Sequence, residues 1–217
     1  MQTITGSSSQ KWYALITALL GWFAVITQFI LLIENSVSSV PETIIRFVSF
    51  FTILTNILVA IAFSFVFLQG DTKWGRFFNR PATLTAITVY IIVVGAVYNI
   101  ILRMIWHPVG LQKLVDELLH SVIPVLAVMF WFFFVQKSSL QWKNSFSWLL
   151  YPMGYSLFIA ARGALSGFYP YPFVNVPAIG YPRALLNGVV LAVVFLGLSL
   201  FLIAIARFLS RKQASAQ

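Results

Sequence analysis

The chain lacks cysteine entirely and has little charge: Asp and Glu together number 5, and charged residues make up 9% of its 217 residues. The absence of cysteine excludes disulfides, thiolate metal sites and cysteine nucleophiles. A soluble domain of this length would need far more charge on its surface, so the shortage of charge excludes that class of protein. The chain is 60% hydrophobic with a mean hydropathy of +0.91, which is typical of an integral membrane protein.

Six apolar stretches are long enough to cross the hydrocarbon of a bilayer, which takes roughly 20 helical residues. They are too long and continuous for strands of a membrane β-barrel, which alternate over about 10 residues. They predict an all-α polytopic membrane protein: a disordered tail over residues 1–11, a six-helix transmembrane domain over 12–206 and a basic tail over 207–217. The first stretch is too long for a secretion signal and no small-residue cleavage site follows it, so we expect it to be retained. The predicted spans are Trp12–Ile33, Phe47–Gln69, Ala82–Ile105, Leu118–Val135, Phe146–Leu165 and Ala184–Ala206.

The net charge of +9 is distributed unevenly between the two sides of the predicted bundle. One side, which includes both termini, holds most of the Lys and Arg residues with Asp71 as its single acid. Cytoplasmic loops carry the excess of Lys and Arg, so both termini are predicted to be cytoplasmic in a cell-membrane protein. The basic excess thus indicates topology and attraction to anionic membrane lipids, and we expect no nucleic-acid partner. The cations on the predicted cytoplasmic side are Lys11, Lys73, Arg76, Arg80, Lys137, Lys143, Arg207, Arg211 and Lys212.

This topology gathers the strongest hydrogen-bonding side chains of all six helices in the half of the bundle away from the cytoplasm. Ionisable groups within spans usually face the bundle interior or a wet cavity, and they mark functional sites. A polar layer above apolar inner halves predicts a pocket that opens toward the outer leaflet. The layer comprises Gln28, Thr52, Asn56, Asn99, Arg103, Asp116, Glu117, His120, Arg162 and Asn187.

His120 stands in the stretch DELLHSVIP, residues 116–124, at the head of an apolar run. Asp116 lies four residues before it and Glu117 three, so either carboxylate can share a helix face with the imidazole and orient it. Pro124, four residues after His120, removes the backbone donor for the His120 carbonyl, and we expect a bend there.

The segment GFYPYPFVNVPAIGYP, residues 167–182, combines prolines with aromatic residues. Such a stiff, amphipathic segment suits the membrane interface. We expect Tyr169, Tyr171 and Phe173 to form a lid over the polar layer, with Arg162 and Asn187 beside them in the pocket.

Four motifs occur together in order: FFTILTN (50–56), YNIILRMIW (98–106), LLHSVIP (118–124) and ARGALSGFYPYPF (161–173). With them the chain resembles a bacterial-type member of the androgen-induced protein family, which are six-helix membrane proteins. The resemblance implies a threonine hydrolase that cleaves fatty acid esters of hydroxy fatty acids. It places the nucleophile at Thr52 and the histidine base at His120, while Thr55 remains a second candidate nucleophile.

The residues and the resemblance together predict a membrane lipid-ester hydrolase that needs no cofactor and no metal. Asn56, Asn99 or Arg103 would donate hydrogen bonds to the developing oxyanion, and Asp116 and Glu117 would support the histidine. The apolar floor of the pocket would hold the acyl chains of the substrate. One alternative is a lipid-binding or lipid-transfer protein that uses the same pocket without turnover. A small solute or proton transporter is another, although it would need an acid deep in a helix and a polar route through the inner half.

Overall fold

The computed structural model describes residues 7–215, and of residues 213–215 it describes the backbone alone. Within that range every regular element is helical, which confirms the predicted all-α class. Short 3-10 turns follow α5 at Leu102–Met104 and precede α10 at Pro172–Val174, and a π turn, Leu118–Val122, joins α6 to α7. The helices are α1 Ser8–Glu34, α2 Val40–Ser49, α3 Phe51–Leu68, α4 Lys73–Phe78, α5 Pro81–Ile100, α6 Gly110–Glu117, α7 Ile123–Phe134, α8 Asn144–Trp148, α9 Leu150–Ser166, α10 Val176–Ile179 and α11 Tyr181–Ser215.

Five helical stretches among the described residues are long and apolar enough to cross a membrane. Large apolar side chains point outward from them: Leu19 is 59% exposed, Val125 56% and Leu185 68%. Such a surface is stable against lipid and unfavourable against water. The five apolar helical stretches thus indicate a membrane-embedded protein. The five stretches are Ser8–Glu34, Phe51–Leu68, Pro81–Met104, Gly110–Phe134 and Tyr181–Lys212.

The predicted fifth span, Phe146–Leu165, is absent from these five because its helix is interrupted. It consists of α8 and the 17-residue α9, with the break at Leu149. Pro152 has no N–H to donate to the carbonyl of Trp148 four residues earlier, which accounts for the break. The count of six spans, and the orientation of the termini that depends on it, remain predictions.

The predicted second span, Phe47–Gln69, is wrong as a single helix. The backbone becomes extended at Phe50, with φ −83° and ψ 124°, and separates α2 from α3. This break frees the carbonyl of Ser49, which accepts a hydrogen bond from the hydroxyl of Tyr155 at 2.9 Å.

The predicted fourth span, Leu118–Val135, begins too late. The helical stretch starts at Gly110 and runs to Phe134. His120 therefore lies about 15 Å along this stretch, at a rise of about 1.5 Å per residue, and not at its entry as the sequence indicated. The prediction missed the helical residues GLQKLVDE because it depended on a continuous apolar run, and the polar residues of this segment interrupt that run.

Both predicted tails are partly helical. The side chain of Ser7 accepts a hydrogen bond from the N–H of Gln10 at 3.2 Å, so α1 begins at Ser8 within the predicted tail. Residues 1–6 lie outside the described residues. At the other end α11 continues past Arg207 to Ser215, since no glycine or proline interrupts it there. Residues 216 and 217 lie outside the described residues.

The chain forms two compact units. The first unit comprises Met1–Asn35 and Thr52–Gln136, and the second comprises Ser36–Phe51 and Lys137–Gln217. In the first unit α1 approaches α3 closely at Gly21, where an added Cβ would lie 3.0 Å from the Cβ of Ala60. In the second unit the ring of Phe51 packs edge-on against that of Tyr155, with centroids 4.9 Å apart.

Candidate functional site

The π turn Leu118–Val122 forms the centre of a buried polar cluster in the first unit. The N–H of Ile123 bonds the carbonyl of Leu118, five residues back, and the following residue, Pro124, has no N–H. The carbonyls of Leu119 and His120 therefore lose their helical donors. Such π turns recur at functional sites in helices.

Two asparagine side chains satisfy these two carbonyls. Asn56 of α3 donates to Leu119 at 3.2 Å and to the carbonyl of Thr52 at 2.9 Å. Asn99 of α5 donates to His120 at 3.1 Å and to the carbonyl of Gly95 at 2.8 Å. A side-chain amide has two N–H donors, so both amides are fully used. Neither has an N–H left for an oxyanion, and that predicted role is replaced by one of holding the π turn.

The side-chain amide of Asn56 contacts the backbone next to both predicted catalytic residues. Its two bonds connect Thr52 to the turn that carries His120. Thr52 is 8% exposed and His120 is 8% exposed, whereas Thr55 and Asn56 are completely buried at 0%. One buried side-chain amide therefore joins α3 to the turn that carries His120.

His120 is oriented by its own helix and by α5. Its Nδ1 lies 2.9 Å from the backbone carbonyl of Asp116, so Nδ1 carries the proton in the neutral ring and Nε2 is the nitrogen that can accept one. The ring of Tyr98 stacks on the imidazole with centroids 3.9 Å apart and planes 15° apart. The Tyr98 hydroxyl donates to Asp116 Oδ2 at 2.6 Å. The other carboxylate oxygen, Oδ1, lies 3.9 Å from His120 Nδ1.

Tyr98 is a member of this cluster that the sequence analysis missed. It stands inside the motif YNIILRMIW, directly before Asn99. Its position 22 residues before His120 gives no local signal, because only the packing of α5 against the π turn joins them. Gly95 allows this packing: a Cβ there would lie 3.0 Å from the carbonyl oxygen of His120.

The two carboxylates of the motif DELLHSVIP have different partners. Asp116 faces His120, whereas Glu117 accepts from Arg103 Nη2 at 2.6 Å and from the Ser121 hydroxyl at 2.9 Å. Arg103 also donates to Ser121 at 3.2 Å. Both bonds come from Nη2 of Arg103, and a guanidinium group has five N–H donors. Among the predicted oxyanion donors, Arg103 alone therefore keeps N–H groups that these bonds do not use.

The remaining predicted pocket and lid residues belong to the second unit. Arg162 Nη2 donates to Glu42 at 2.8 Å, and the Asn187 amide donates to the carbonyl of Phe173 at 2.8 Å. The rings of Tyr171 and Phe173 stack with centroids 5.2 Å apart. The ring of Tyr169 fills the space that a Cβ on Gly163 would need. The lid role stays a prediction.

The pKa of Glu42 leads to a prediction of how acid affects the stability of the protein. Hydrogen bonds from Arg46 and then Arg162, together with their charges, lower the pKa of Glu42 below its ordinary 4.5. A carboxylate whose pKa is lower in the folded state stabilises the folded protein at pH values above its ordinary pKa. This stabilisation is lost as the pH falls through the folded-state pKa. We expect Glu42→Gln to melt at a lower temperature than wild type at pH 7 and to lose less stability between pH 5 and pH 3. Equal acid sensitivity of the two proteins, measured by thermal melts in detergent, would contradict this.

Chemically, the first unit offers an oriented imidazole beside a carboxylate, with threonines on the neighbouring helix. In the described part of the chain, no group of three or more His, Asp and Glu is placed to hold a metal ion. The likeness to the androgen-induced protein family rests on the four sequence motifs. No family model, no curated protein and no solved structure matches the chain.

Proposed function

We propose that this protein is an integral-membrane hydrolase of long-chain lipid esters, with Thr52 as nucleophile and His120 as base. The single observation that carries the proposal is the amide of Asn56, which bonds the carbonyls of Thr52 and Leu119 and so ties the threonine to the histidine turn. Thr52 is favoured over Thr55 because a nucleophile must be reached by its substrate, and Thr55 is 0% exposed. The resemblance to the androgen-induced protein family supports the same pair.

The proposed reaction begins with transfer of the Thr52 hydroxyl proton to His120 Nε2 as the threonine oxygen attacks the ester carbonyl. Asp116, with Oδ1 3.9 Å from Nδ1, stabilises the imidazolium that forms. The bond from the acyl carbon to the alcohol oxygen then breaks, and the alcohol leaves with the proton from His120. Water, deprotonated by His120, attacks the acyl carbon, the bond from that carbon to the Thr52 oxygen breaks, and His120 returns the proton to the Thr52 oxygen as the fatty acid leaves. Arg103 is the proposed oxyanion donor.

A lipid substrate fits better than a polar one because the cluster is set in an apolar helical unit. The substrate class we propose is fatty acid esters, including those of hydroxy fatty acids. The test uses purified protein in lipid nanodiscs and a panel of such esters with short-chain water-soluble esters as the comparison. Release of fatty acid from the long-chain panel supports the proposal. Retention of lipid through purification with no release from any ester would instead support the lipid-binding or transfer alternative.

The proposed topology has six spans, with α8 and α9 together forming the fifth and both termini in the cytoplasm. Because the chain has no cysteine, single cysteines introduced at Ser9 and at Lys212 can be labelled without background. We expect a membrane-impermeant maleimide to label both only after the membrane is permeabilised. Five spans would place the two positions on opposite sides, so one of them would be labelled in intact cells.

A further inference from the structure

We propose that Arg46 and Arg162 of the second unit bind the phosphate group of an anionic ligand, and that this ligand is a phospholipid headgroup. The inference concerns residues of the second unit, whereas Thr52 and His120 belong to the first, and it does not depend on hydrolysis.

The two arginines meet on a single carboxylate oxygen. Arg46 Nε and Arg162 Nη2 both donate to Glu42 Oε1, each at 2.8 Å. Their guanidinium carbons also lie over the same ring, that of Phe168, at 4.9 Å for Arg46 and 5.3 Å for Arg162. The ring and the carboxylate thus hold two like charges close together.

The charges and donors of this cluster are not balanced. Two guanidinium cations face one carboxylate, so the cluster has a net charge of +1. Each guanidinium has five N–H donors, and Glu42 Oε1 accepts only one bond from each. The Arg162 side chain is 10% exposed, and its Nε is buried with no hydrogen-bond partner. A buried donor without a partner costs free energy, which an acceptor-rich ligand would recover.

A phosphate has the matching chemistry, since its several oxygens can accept from both guanidinium groups at once. The cluster remains accessible from the side of Arg46, which is 38% exposed. Further aromatic rings adjoin Phe168: Phe50 packs edge-on against Phe168 and against Tyr171, with centroids 6.3 Å and 6.0 Å apart. Aromatic residues beside basic ones are typical of the membrane interface, where headgroups lie.

The experiment titrates purified protein in neutral detergent with fluorescent phosphatidylglycerol, and with fluorescent phosphatidylcholine as the lipid without net charge. We expect tighter binding of phosphatidylglycerol, and about tenfold weaker binding in Arg46→Gln and in Arg162→Gln, each of which loses a charge-assisted bond. Arg183→Gln removes an exposed cation of the same unit outside the cluster and should leave the affinity unchanged. Glu42→Gln removes the internal competing anion and should raise the affinity several-fold.

The Glu42 variant separates a ligand site from a structural ion-pair network. If the arginines only stabilise the fold, Glu42→Gln protein that melts cooperatively will bind phosphatidylglycerol no better than wild type, and this overturns the proposal. Equal affinity for the two lipids in wild type also overturns it.

Should Arg162→Gln fail to fold, the more exposed Arg46→Gln provides the loss-of-binding test. Free glycerol phosphate then identifies the source: competition at millimolar concentration supports a phosphate site open to soluble ligands, and no competition supports a headgroup held with its acyl chains.

Discussion

Replacing Thr52 by valine, or His120 by glutamine, is expected to reduce fatty acid release by about 100-fold or more. Valine keeps the shape of threonine and removes only the hydroxyl that attacks the ester. Glutamine at position 120 removes the base, and a positioned general base typically contributes 10²- to 10⁴-fold to a rate. Both losses should appear in kcat, because neither change removes the apolar surface that binds the acyl chains. The measurement is steady-state release of fatty acid by nanodisc-embedded protein, with melting temperature as the check on folding.

Thr55→Val is the matched control for Thr52→Val. It makes the same change in the same helix, three residues further along, at a threonine that is 0% exposed. We expect this variant to keep most of its activity once its folding is accounted for. Loss of activity in Thr55→Val with activity retained in Thr52→Val would move the nucleophile to Thr55. Full activity in both threonine variants would overturn the threonine mechanism.

Asn56→Leu is expected to lower the free energy of unfolding by about 1–3 kcal/mol, since it leaves the carbonyl of Leu119 buried without a donor. The carbonyl of Thr52 keeps its backbone donor within α3. Asn99→Leu removes an equivalent pair of bonds, to Gly95 and His120. Its cost should be smaller, because Asn99 is exposed near the end of α5 and water can replace its amide. The order of the two variants is measured by thermal or denaturant unfolding in one detergent.

Pro124→Ala provides a second test of the same account. Alanine restores a backbone N–H four residues after His120, which can bond the carbonyl that Asn99 now holds. We therefore expect the double variant Asn99→Leu with Pro124→Ala to be more stable than the sum of the two single changes predicts. Simple additivity would show that Asn99 does not act through the freed carbonyl.

The helical class and the approximate spans could be predicted because long apolar runs depend on local composition alone. The break at Phe50 could not. Phe50 is an ordinary residue for a helix interior, and its extended backbone is stabilised by a long-range partner, since Tyr155 takes up the freed carbonyl of Ser49. The break at Leu149 had a local signal in Pro152, which the length of the apolar run concealed.

The site was predictable in part for the same reason. The four-residue spacing placed Asp116 on the histidine face, and the structure brings Asp116 and His120 together. The spacing could not decide that Glu117 would pair with Arg103, because that contact joins two helices. The effect of Pro124 on the His120 carbonyl followed from covalent chemistry, yet the donor that replaces it, Asn99, follows only from packing.

The most direct measurement of the central claim is detection of the acyl-enzyme. Protein would be mixed with a long-chain ester, quenched in acid at early times, and its peptides analysed by mass spectrometry. We predict that the acyl mass is found on Thr52, is absent from Thr52→Val protein, and disappears as fatty acid is released. A wild type that releases fatty acid with no acyl group on Thr52 or Thr55 at any time would contradict the threonine mechanism.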